Sequence, residues 1–74
     1  MMEDYDQMAE ACERAEAVGA GSAEVSYLYA EARQGQGDKE AAVALLGEAI
    51  ARDEHHGAAY LLRGQILMEM DRLE

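Results

Sequence analysis

The chain has 74 residues, 16 acids against 6 bases, and a formal net charge of −10. That length allows one domain with a thin core, since so short a chain buries only about 60% of its unfolded surface. The charge argues against nucleic acid and anionic membranes as partners, because both call for clustered Lys and Arg.

The rest of the composition points to helix. Proline, phenylalanine and tryptophan are absent, alanine is abundant, and valine and isoleucine are few, which favours helix over sheet. A first helix is expected from about Met2 to Val18, with Met8, Ala11, Cys12, Ala15 and Val18 on one face at three- and four-residue spacing. Gly19-Ala20-Gly21-Ser22 ends it: glycine allows a left-handed turn, and the Ser22 hydroxyl can cap the next helix. The second helix runs from about Ala23 to Gln34 and breaks at Gly35-Gln36-Gly37. Asp38 caps the third, about Lys39 to Arg52, which carries Ala42, Val43, Leu46, Ala49 and Ile50 on one side. After a turn at Asp53-Glu54-His55-His56-Gly57, a fourth helix starts near Ala58 and bears Tyr60, Leu61, Leu62, Ile66, Leu67, Met68 and Met70. Connections this short make consecutive helices antiparallel neighbours.

A fixed offset links these elements. Met8, Cys12 and Ala15 recur as Ala42, Leu46 and Ala49, and Ala30 and Ala32 recur as Gly64 and Ile66, each 34 positions on. A constant period of this size marks stacked helical repeats. The residues resemble the tetratricopeptide repeat family, a 34-residue helical hairpin. Ala42, Leu46 and Ala49 fall at the small, large and small positions of its second helix, and Gly37-Asp38 resembles its internal turn. Tyr60, Gly64 and Leu67 match the first helix of a following unit, with Gly64 at the close-contact position. The resemblance spans nearly the whole chain: half a repeat over 1–22, a full repeat over 23–56, and another half over 57–74. Glu54 stands where the family usually has proline. Ser26, Arg33 and Arg63 stand where it usually has large apolar residues, and Asp71 replaces a turn glycine. The implied fold is all-α, about four helices in antiparallel hairpins stacked as a short superhelix. A plain four-helix bundle accounts for the same helices.

The resemblance also implies a binding face. The first helix of each repeat lines the concave surface in this family. By residue-by-residue transfer this face takes Glu24, Tyr27, Glu31 and Gln34 from the second helix, and Ala58, Leu61, Gln65 and Met68 from the fourth. Tyr27, Glu31, Leu61, Gln65 and Met68 are the residues expected to touch a peptide or helix. Some family members clamp a peptide carboxylate with lysines and asparagines. Here Tyr27, Glu31, Leu62 and Ala58 stand at those positions, and the chain has no asparagine.

Chemistry-bearing groups are sparse. Cys12 lies on an apolar face and reads as a small core residue. His55-His56 with Asp53 and Glu54 lacks the three- or four-residue spacing of helical metal pairs and reads as an exposed turn. Glu10, Glu13 and Glu16 read as solvating charges, and Gly35-Gln36-Gly37 as a helix break rather than a phosphate cradle. No enzyme activity, cofactor or metal is expected. The N-terminus is acidic and unlike a signal peptide, and the single cysteine excludes an internal disulfide, so cytoplasm is the expected setting.

The functional expectation is a non-enzymatic protein-interaction module, an adaptor or scaffold with a protein or peptide partner. The alternative is a self-assembling repeat whose main role is homo-oligomerisation. The fourth helix is apolar nearly all round, so the chain is expected to be part of a longer array and to pair with its own copies through Leu67, Met70 and Leu73.

Overall fold

The computed structural model describes residues 4–72, all helix and turn. Four helices follow in order: α1 Tyr5–Ala17, α2 Ala23–Gly35, α3 Lys39–Arg52 and α4 Gly57–Arg72. None is long and apolar enough to cross a membrane.

The first two breaks are built alike. Gly19 and Gly37 take φ of +78° and +90°, a region that disfavours side chains. At each, two backbone bonds close the helix end. Ala20 N–H donates to the Ala15 carbonyl and Gly19 N–H to that of Glu16. Asp38 N–H and Gly37 N–H donate to the carbonyls of Arg33 and Gln34 in the same pattern. The next helices are then capped by side chains: Ser22 Oγ accepts from Val25 N–H at 3.2 Å, and Asp38 Oδ1 from Ala41 N–H at 3.1 Å.

The third break uses side chains in place of glycine. Asp53 Oδ1 accepts from His55 N–H at 3.0 Å, and His56 Nδ1 accepts from Ala59 N–H at 3.2 Å. The imidazole thus satisfies one of the free donors at the start of α4.

Packing is sequential. α1 rests on α2, α2 on α3 and α3 on α4, while any further helix pair touches only marginally. The result measures 39 × 34 × 16 Å, a thin open series rather than a bundle closed by α1 meeting α4. Its core is small: Ala30, Ala42, Leu46, Ala49, Ala59 and Ile66, all fully buried, flanked by half-buried Tyr27, Val43, Leu45, Ile50, Leu62 and Met70. Alanines let the helix backbones approach, and Leu46 and Ile66 fill the space between. Burying one such side chain contributes about 1.5–3 kcal/mol, so these two dominate.

Several local readings need correction. α1 is described from Tyr5, and Met2 lies outside the described residues. Its buried side chains are Ala9 and Cys12, while Ala11 is exposed and Val18, past the helix end, is 78% exposed. Ala9 was missed because the face was read through Met8, Ala11 and Ala15, and the buried face, with Ala9 and Cys12, is rotated from it. Glu13 and Glu16 are not merely solvated. Tyr29 Oη donates to Glu13 Oε2 at 2.9 Å and Arg33 reaches the same oxygen at 3.3 Å. Arg52 pairs with Glu16 at 3.2 Å. Gly64 is not in close contact: a Cβ added there meets nothing within 4 Å.

Candidate binding surface

α2 and α4 both rest on α3 without packing extensively on each other. Tyr27 and Glu31 are half-buried on α2, whereas Leu61 and Met68 on α4 are 66% and 64% exposed. Gln65, between those two along α4, is exposed as well. Residues 61, 65 and 68 follow a four- and three-residue spacing and so form one stripe. The α2 stripe has the same spacing at Tyr27, Glu31 and Gln34.

His56 joins the two stripes. Its ring centroid lies 5.1 Å from that of Tyr27, tilted by 35°. Its Nε2 is 3.3 Å from Glu24 Oε1. Because Nδ1 accepts the Ala59 N–H, the neutral ring carries its proton on Nε2 and donates it to Glu24. The expectation of an exposed histidine turn therefore fails at His56, which is half-buried, though it holds at His55. The available signal was position: His56 stands directly before the fourth apolar run, where a cap is needed.

Burial, and then the neighbouring Glu31 carboxylate, push the Tyr27 phenol above its ordinary value. The phenol stays protonated and keeps its donor. With Glu24 and Glu31 nearby, the α2 side of this surface is acidic, and the α4 side offers bare Leu and Met.

A second cleft opens between α1 and α2. It is lined by Tyr5, Met8, Glu31, Gln34 and Gly35. The Tyr5 ring lies directly over Gly35, where any Cβ would overlap it.

The residues expected to mediate self-association separate. Leu67 is 46% exposed on α4, beside Tyr60 at 45%. Met70 is half-buried against the core and lines a shallow cleft with Gly37, Asp38, Lys39 and Glu40. Leu73 lies outside the described residues.

Reactive groups are poorly placed for catalysis. Cys12 is buried, and burial followed by the Glu16 and Glu13 carboxylates raises its thiol above the ordinary value. A thiol held protonated is a weak nucleophile. Among the described residues no three His, Cys, Asp or Glu side chains gather in a group able to hold a metal ion. No protein-family model, curated protein or solved structure matches this chain.

Proposed function

We propose that the chain is a non-enzymatic protein-interaction module of the tetratricopeptide type, an adaptor or scaffold that holds a peptide or helix between α2 and α4. The carrying observation is the pair of stripes on the two helices that flank α3: exposed Leu61, Gln65 and Met68 on α4 and half-buried Tyr27 and Glu31 on α2. Met and Leu supply adaptable apolar contact, and Tyr27 supplies a rigid amphipathic one. Glu24 and Glu31 favour a partner whose apolar anchors are flanked by Lys or Arg. The reading assigns the module to the cytoplasm, where Cys12 stays a reduced thiol.

A displayed library of random 12-residue peptides tests this. Selection on the wild type is expected to enrich Leu, Met or aromatic anchors with interspersed Lys and Arg. Binding of a selected peptide should weaken with salt. It should fall about tenfold or more in the Tyr27→Ala/Leu61→Ala double variant, as loss of central anchors predicts. Unchanged affinity in the double variant would sink the assignment.

A second reading is favoured by a separate observation. Tyr60 and Leu67 leave the outer flank of α4 bare, which suits self-assembly. Sedimentation that gives a monomer mass up to high micromolar concentration excludes it.

A further inference from the structure

The internal 34-residue offset makes α3 the counterpart of α1 and α4 the counterpart of α2. Burial differs between counterparts in a consistent way. On α3, Ala42 and Ala49 are fully buried and Leu45 is packed against the core. The matching α1 residues, Met8, Ala11 and Ala15, are half-buried, exposed and half-buried. They lie three and four residues apart, so they form one stripe. On α2, Ser26 and Ala30 are fully buried and Arg33 is half-buried. Their α4 counterparts, Tyr60, Gly64 and Leu67, are all exposed and also form one stripe. Among the described residues α2 packs extensively on a helix at each side, α1 and α3, whereas α4 packs extensively on α3 alone. The bare α4 stripe is therefore the part that α3 covers on α2. The partly covered α1 stripe is likewise the part that α2 covers on α3.

We infer that the outer flank of α4 docks α1 of a second copy, head to tail, repeating between molecules the α2–α3 contact made within one. The inference rests on the self-assembly reading and specifies its geometry. Volume is exchanged rather than matched position by position: Tyr60 and Met8 are larger than their counterparts Ser26 and Ala42, while Gly64 and Ala11 are smaller than Ala30 and Leu45.

Charge favours the same pairing. α1 carries Asp6, Glu10, Glu13 and Glu16 against Arg14 alone, so two α1 helices repel. α4 balances Arg63 and Arg72 with Glu69 and Asp71, and its bare stripe holds no acid. An acidic α1 therefore meets a charge-balanced helix of its neighbour, as balanced as α3, in place of a second acidic α1. A head-to-tail contact leaves one free end on each molecule, so copies add in one direction into a ring or an open helical filament.

Two variants and their mixture test this by sedimentation over a concentration series, with circular dichroism confirming that each folds. Ala11→Glu spoils the α1 end and Leu67→Glu the α4 end; both positions are exposed. Wild type is expected to grow past the dimer, and each variant alone to stay at monomer mass. An equimolar mixture should give a 1:1 dimer of twice that mass and no larger species, since only one pair of intact ends remains. If Ala11→Glu alone dimerises while Leu67→Glu does not, α4 pairs with α4 by a two-fold axis. That outcome overturns the head-to-tail contact and leaves self-assembly standing. A wild type that stays monomeric to high micromolar concentration overturns both.

Discussion

α2 and α4 are related by the 34-residue offset in the sequence, yet they live in different surroundings. At equivalent positions α2 has buried Ser26 and Ala30, and α4 has exposed Tyr60 and Gly64. At the first of these positions the larger, more apolar side chain, Tyr60, is on the helix with less cover, the reverse of what a self-contained core requires. The part of each helix that faces its predecessor behaves identically: Ala32 and Ile66 are both fully buried. Among the described residues α4 packs extensively on α3 alone, and the difference in burial follows from that. The apolar character of a helix reports how many neighbours it is built to have, and α4 carries more of it than the described residues cover.

The largest expected effect sets the fully buried core against the α4 stripe. Leu46→Ala should destabilise the isolated chain by about 2–5 kcal/mol, while Leu67→Ala in a dilute monomer should change it by roughly 0.5 kcal/mol or less. Urea titrations at low concentration measure both. Equal losses would show that Leu67 is covered within the chain.

Next comes overpacking at the helix contacts. Ala42→Leu and Ala49→Leu each insert bulk where the alanine is fully buried, at a cost of about 1–3 kcal/mol. Ala11→Leu on the exposed counterpart of Leu45 should cost little. A thermal midpoint for Ala49→Leu equal to that of wild type would mean that α3 does not press on its neighbours there.

A smaller effect of opposite sign is expected at Ser26. Its Oγ is buried with no hydrogen-bond partner, so Ser26→Ala removes a desolvated hydroxyl and should stabilise by about 1 kcal/mol. Destabilisation on chemical denaturation would reveal a partner for that oxygen.

Gly64→Ala should give the smallest gain, about 0.5–1 kcal/mol, from helix propensity alone, since the added methyl meets nothing within 4 Å. The reverse change at its counterpart, Ala30→Gly, should destabilise. If Gly64→Ala stabilises the monomer yet weakens assembly, the glycine is kept for the contact between copies.

Local chemistry made the helices readable in advance. α3 was expected at Lys39–Arg52 and is found there, because Asp38 caps its start. The two glycine turns were equally legible, since a left-handed position names its own residue. The third break was legible as a turn at 53–57, but the way it is built was not. It is made by Asp53 and His56 side chains, and histidine at a cap has no strong sequence signature. The link from His56 to Tyr27 and Glu24 spans 29 and 32 positions and is invisible to spacing along one helix. Glu13 and Glu16 were misread for the same reason, as Arg33 and Arg52 come from other helices.

By itself the sequence determined what depends on near neighbours in the chain: the number of helices, their caps and glycine turns, and the small-large-small pattern of Ala42, Leu46 and Ala49. Period and capping act over three to seven residues, so one strand of text carries them. Tertiary structure alone decided which apolar residues end up covered. Ile66 is fully buried and Leu67, one residue on, is half bare, although both are equally apolar. Burial is a property of what packs alongside, and among the described residues α4 has an extensive neighbour, α3, on a single side.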